Sequence, residues 1–168
     1  MKSELGSQRQ PAERDADGIR TRLVCAEDGA ALLAVRAATR ENPFSSEALV
    51  AAGISSGSLA SGIRAGTLAG WLGEVSPSGE VVGFCLANLP EAELWVLAVL
   101  PAYEGRGIGR ELLARTEALV WAAGHSTAWL WTSTDRCTRA HGFYMAAGWH
   151  EEAEREGRLY LRKTRLES

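Results

Sequence analysis

Apolar residues along this chain recur in two rhythms, one of about two residues and one of about 3.6, which separate strands from helices. Ile19–Ala26 (IRTRLVCA) reads as a first strand. Glu27 or Asp28 then opens a helix carrying Leu32, Leu33, Val35 and Ala38. Asn42-Pro43 stops it, because the residue before proline resists the helical region. Ser45 or Ser46 is placed to cap a helix through Glu47, Leu49 and Val50, and Ser56 or Ser58 another through Leu59 and Ile63. Glycines at 53, 57, 62 and 66 weaken both. Thr67–Val75 and Glu80–Leu89 are strand-like runs joined by the turn residues Ser76-Pro77-Ser78-Gly79. Glu93–Leu100 is apolar on both faces, with Leu94, Val96 and Ala98 on one and Trp95, Leu97 and Val99 on the other. That suits a strand covered on both sides. Ile108–Ala123 is a helix with an apolar stripe of Ile108, Leu112, Leu113, Thr116, Leu119, Val120 and Ala123, closed by Gly124. Thr127–Ser133 is a further buried strand, Thr138–Ala147 a short helix closed by Gly148, and Trp149–Ala153 and Arg158–Lys163 the last strands. With residues 44–66 taken as one helical region, the order is β-α-α-β-β-β-α-β-α-β-β. It predicts a three-layer α/β (α+β) domain around a mixed sheet.

The first eighteen residues, MKSELGSQRQPAERDADG, are polar and aperiodic, so residues 1–18 are expected to be a disordered tail and 19–168 a single domain. No apolar run approaches the ~20 residues of a membrane-spanning helix. The formal net charge of −3 supplies no basic footprint for nucleic acid. Cys25, Cys85 and Cys137 are far apart and odd in number, and with three scattered histidines they make no ligand spacing, so no metal is expected. The absence of paired cysteines and of a signal-peptide pattern fits a reducing, cytoplasmic setting.

The segment carrying chemistry is Trp95–Arg115 (WVLAVLPAYEGRGIGRELLAR), a buried strand running through Glu104-Gly105-Arg106-Gly107-Ile108-Gly109 into the long helix. Closely spaced glycines let backbone amides turn inward into an anion-binding nest, and the first helical turn adds unpaired N–H groups. Arg106 and Arg110 there oppose the helix dipole, a conflict that a bound phosphate reverses. A phosphate-binding P-loop would need Gly-Lys-Ser/Thr where Gly109-Arg110-Glu111 stands, and a dinucleotide fingerprint would need glycine at Arg110.

Glu104–Gly109 resembles the acetyl-CoA motif of the GCN5-related N-acetyltransferases, the GNAT superfamily, Gln/Arg-x-x-Gly-x-Gly/Ala between a buried strand and a helix. Thr138–Trp149 (TRAHGFYMAAGW) is similar to the C-terminal signature of that family. By order of elements the resemblance covers about residues 19–164, most specifically Glu93–Trp149. It implies a central, mostly antiparallel mixed sheet of six or seven strands with helices on both faces. It also implies that strands Glu93–Leu100 and Thr127–Ser133 splay apart around the pantetheine arm of acetyl-CoA. The stretch Leu97, Ala98 and Val99 would then face the cofactor, with the backbone of Leu97 and Val99 pairing with its amides. The amides of Gly105, Arg106, Gly107, Ile108, Gly109 and Arg110 would hold the pyrophosphate. Tyr144 matches the tyrosine near the CoA sulfur, with the role of general acid toward the leaving thiolate.

Two positions depart from the pattern. Glu104 replaces Gln/Arg, so its carboxylate is expected to point away from phosphate while Arg106 or Arg110 supplies charge. Cys137 replaces a frequent Asn that contacts the CoA arm; as a cofactor-binding position its contact is either lost or made by backbone, and its side chain reads as a small packing residue. The reaction implied is direct attack of a small-molecule or peptide amine on the thioester. No motif fixes its base: Glu41, Glu74, Glu91, Glu93 and His141, one turn before Tyr144 and on its side of the helix, are candidates. Residues 40–66 are expected to wall the acceptor site, with Phe44, Trp71 and Trp95 as lining. A non-catalytic CoA-binding module and a transferase of another acyl group use the same features. The resemblance also suggests a homodimer, with the C-terminal strands as the available edge.

Overall fold

In this computed structural model, residues 18–39 and 46–167 are described, so Glu41, Phe44 and nearly all of the expected tail lie outside them. The elements in chain order are β1 (Ile19–Leu23), α1 (Gly29–Ala37), α2 (Ser46–Ala51), α3 (Ser56–Ala65), β2 (Leu68–Val75), β3 (Val81–Asn88) and β4 (Glu93–Val99). Then follow α4 (Ile108–Ala122), β5 (Thr127–Ser133), α5 (Arg139–Ala146), β6 (His150–Arg155) and β7 (Arg158–Thr164). The seven strands form one sheet in the order β1-β2-β3-β4-β5-β7-β6. Every neighbouring pair is antiparallel except β4 and β5. This is the expected three-layer mixed sheet, with α1 and α3 on one face and α4 and α5 on the other.

Each face buries its own core. Leu32 and Leu59 pack with Leu72, Phe84 and Leu86 on the α1/α3 side; Leu112, Leu113 and Val120 pack with Leu130, Leu161 and Trp149 on the other. Full burial of each Leu is worth about 1.5–3 kcal/mol, so both helix layers are held mainly by these side chains. The α3 cap is Ser55 rather than Ser56 or Ser58. Its hydroxyl accepts from the Ser58 N–H (3.1 Å), and the Ser58 hydroxyl accepts in return from the Ser55 N–H (2.8 Å). A Cβ at Gly62 in α3 would meet the movable side chain of Leu68, whereas one at Gly29 in α1 would come within 2.7 Å of the Ser56 carbonyl oxygen, so close backbone approach explains Gly29.

One expectation about β4 fails. The β3–β4 register passes from Leu86↔Val96 to Ala87↔Leu94 and skips Trp95, a bulge that shifts the side-chain alternation. Trp95, Val96 and Ala98 therefore pack on the α1/α3 side, while Leu94, Leu97 and Val99 pack on the α4/α5 side.

Candidate active site

The sheet opens between β4 and β5. Their ladder has a single register pair, Glu93↔Trp129, beside the Trp129 N–H to Ala92 C=O bond of 3.0 Å. Beyond it the strands diverge around a cleft of about 940 Å³, lined by 94–99 on one wall and 130–133 on the other. The Leu100 N–H donates to the Val82 C=O (2.8 Å). Because an antiparallel ladder alternates every second residue, the Ala98 backbone then faces β3, whereas the N–H and C=O groups of Leu97 and Val99 face the cleft. Those groups have no strand partner, so an extended ligand with amide groups can satisfy them.

At one end the cleft meets the glycine turn. Gly105 and Gly107 take left-handed φ of +77° and +80°, with open space where a Cβ would stand. Gly107 caps α4 without a side-chain hydrogen bond, so the first N–H groups of α4 are left for a ligand. Glu104, Gly105, Gly107, Ile108, Gly109 and Arg110 line the cleft. Arg106 does not: it lies over the Tyr103 ring, 5.1 Å from the centroid. Glu104 differs from expectation. It lines the cleft and accepts a hydrogen bond from Arg139 Nη1 at 2.6 Å, so its charge is matched from α5 rather than turned away.

Tyr144 lines the cleft together with Cys85 and Leu113. Its ring meets Phe143 and Trp149 edge-on, with centroids 5.4 and 6.2 Å away. Burial pushes the Tyr144 phenol above its ordinary range, and nearby Cys85 adds to the rise. Burial also pushes the Cys85 thiol up to about 12, which keeps it protonated and unreactive. The end of α5 is fixed by a buried carboxylate. Glu117 of α4 accepts from Trp149 Nε1 (3.0 Å) and from Lys163 Nζ (2.7 Å), and Lys163 also donates to the Ala147 C=O (2.8 Å). Trp149 N–H in turn donates to the Tyr144 C=O at 3.0 Å.

Away from the glycine turn, Arg36, Thr39, Trp95, Trp131, Thr132 and Ser133 line the cleft. Trp71 stands outside this lining, under Arg115 on the α4 side of the sheet (4.9 Å to the guanidinium). Cys137 is not the packed residue expected: it is exposed and lies outside the lining, on the turn before α5 where its N–H donates to Asp135 Oδ1 (2.9 Å). Among the candidate bases, Glu74 is held by Arg22 (3.2 Å) and Arg20 (3.5 Å). His141 Nε2 is 3.2 Å from Glu151 on β6, so the helical turn between it and Tyr144 does not bring it into the cleft. Glu93 lies at the closed end of the split. Burial and then Glu91 push its carboxyl up, and Arg158 pulls it down. Among the described residues, no group of three or more His, Cys, Asp or Glu gathers as metal ligands, and no helix is long and apolar enough to cross a membrane.

The sequence reading did not single out Arg139, Cys85, Trp131 or Glu117. Arg139 and Glu117 left traces: a cation opening a helix after the Thr138 cap, and a carboxylate on the apolar stripe of α4.

The profile of the acetyltransferase (GNAT) family matches residues 63–149. No curated protein matches the chain. Among solved structures, the PaiA N-acetyltransferase of Thermoplasma acidophilum, in complex with coenzyme A, aligns over 88% of this chain and 99% of its own, with TM-score 0.70 and 20% identity. The ribosomal-protein-S18-alanine N-acetyltransferase of Escherichia coli aligns over 87% of this chain and 93% of its own, with TM-score 0.65 and 16% identity. At such identities these likenesses establish a shared fold.

Proposed function

The chain belongs to the acetyltransferase (GNAT) family, and we propose on that premise that it moves an acetyl group from acetyl-CoA to a primary amine of a small molecule or peptide. The observation that carries this reading is the split of β4 from β5 after one register pair, directly beside the glycine turn. The exposed backbone of Leu97 and Val99 suits the amides of the pantetheine arm. The amides of the glycine turn and the first turn of α4, with Arg110, suit the pyrophosphate. The Thermoplasma neighbour holds coenzyme A on the same fold.

With the donor so placed, the amine nitrogen forms a bond to the thioester carbonyl carbon and the carbon–sulfur bond breaks. The amine must first lose its proton, which leaves through water to bulk solvent. The thiolate receives a hydrogen bond or proton from the Tyr144 hydroxyl, which burial keeps protonated. The acceptor enters from the end lined by Trp95, Trp131 and Thr132. A cytoplasmic setting and a homodimer using the β6 edge belong to the same reading.

The test is release of CoA thiol from acetyl-CoA across a panel of small amines and peptides. Amine-dependent release is expected. CoA binding without release under any amine would leave a CoA-binding module instead.

A further inference from the structure

Resting on the acetyl-CoA reading above, we infer that Arg139 is the guanidinium that grips a phosphate of the donor, and that Glu104 holds Arg139 until the phosphate takes it. The two residues face each other across the mouth of the cleft, Glu104 at the start of the glycine turn and Arg139 as the first residue of α5. Arg139 Nη1 donates to Glu104 Oε2 at 2.6 Å.

Neither residue is explained by the stability of its own element. A cation in the first turn of α5 opposes the helix dipole. A carboxylate beside inward-facing amides and the positive end of α4 repels the anion that those groups attract. Paired, the two cancel, and a phosphate arriving at the turn competes with the carboxylate for the same guanidinium. Phosphate is favoured in that exchange because Arg pairs with it in a planar, bidentate manner and because it carries more charge. The side chains are placed to make the swap. Arg139 is 63% exposed and can swing, whereas Glu104 is only 22% exposed and sits against the turn. Arg106, the other arginine of this region besides Arg110, is stacked on Tyr103 and outside the lining.

The pair thus acts as a specificity determinant for thioesters that carry phosphate. A thioester without one has nothing to offer Arg139 in place of Glu104. The shared chemistry is a phosphate monoester or diester oxygen, from either the pyrophosphate or the 3′-phosphate of CoA.

Calorimetric titration of wild type, Glu104→Gln and Arg139→Met with CoA, dephospho-CoA and pantetheine tests this. Arg139→Met is expected to weaken CoA about tenfold and Glu104→Gln to tighten it about threefold, with pantetheine affinity unmoved by either change. Misfolding cannot tighten binding, so Glu104→Gln guards against a merely damaged protein. A penalty in Arg139→Met that persists with dephospho-CoA assigns the pyrophosphate, and one that vanishes assigns the 3′-phosphate; both support the exchange. Wild-type affinity in Arg139→Met, or weakened binding in Glu104→Gln, overturns it while leaving the transferase reading intact. A wild-type protein that binds no CoA overturns both.

Discussion

A phenol is protonated at physiological pH even when free, and burial raises Tyr144 further, so its proposed aid to the thiolate is a hydrogen bond more than a full proton transfer. Tyr144→Phe keeps the ring contacts with Phe143 and Trp149 and removes only the hydroxyl. Turnover is expected to fall by about 10²–10⁴-fold with CoA affinity retained; a loss of about tenfold or less would show that the thiolate leaves unaided. Since the shift is upward, the acid form persists past the ordinary phenol value, and kcat should show no alkaline loss from this group below about pH 10. Asp28 presents the opposite sign. Burial alone would push its carboxyl up. A bidentate bond from Arg22 (2.8 and 2.9 Å) and the Cys25 N–H (2.7 Å) outweigh that and leave it below the usual range. A carboxyl depressed in the folded state stabilises above its unfolded value of about 3.9 and loses that contribution as pH falls through the folded one. Asp28→Asn should therefore be destabilised at pH 7 by about 1–3 kcal/mol, with the gap from wild type narrowing below about pH 4 in urea denaturation series.

The glycine turn and the helix behind it were legible because their chemistry is local: φ above zero favours glycine, and the stripe from Ile108 to Val120 is set by helical spacing. Gly107→Asp puts a side chain on backbone at φ +80° and a carboxylate where phosphate amides point. It should cost about 1–2 kcal/mol of stability and at least about tenfold in CoA affinity by calorimetry; unchanged affinity would move the proposed site elsewhere. The phase of β4 was not legible, because skipping Trp95 is a decision of the β3 ladder that no alternation within β4 records. Nor was the aim of His141, which Glu151 on a later strand turns out of the cleft. Trp71, expected with Phe44 and Trp95 in the acceptor lining, falls on the α4 face, because the residue's side of β2 is set by its ladder and not by composition. Glu117, a carboxylate buried on α4, anchors the end of α5 through Trp149 and Lys163, contacts made with later parts of the chain that helical spacing does not record. Lys163→Met would leave that carboxylate without its cation, at an expected cost of about 3 kcal/mol in denaturant unfolding, and would loosen the end of the helix that carries Tyr144.

Taken as one molecule, the protein is one seven-stranded sheet with two antiparallel halves, β1–β4 and β5-β7-β6, joined by a single parallel register pair and by the long helix α4. The free edge β6 is charged along Glu151, Glu152, Glu154 and Arg155 and is broken by a bulge between Glu151 and Ala153, so any pairing of two copies there must overcome carboxylate repulsion. That single register pair has a consequence for the protein's lifetime as well as its chemistry. The seam is the least cross-linked line in the sheet, and backbone amides along the open side of β4 should exchange with deuterium faster than those shared with β3. In the proposed function a bound acyl donor would act there as a supernumerary strand made of something other than peptide. By mass action, donor at a hundred times its dissociation constant adds about 2.7 kcal/mol to the folded state. The same increment should appear as slowed exchange at Leu97 and Val99 and as resistance to proteolysis. On the proposed reading, the pool of CoA and its thioesters together, rather than acetyl groups alone, would thereby help to set how much of this protein persists folded.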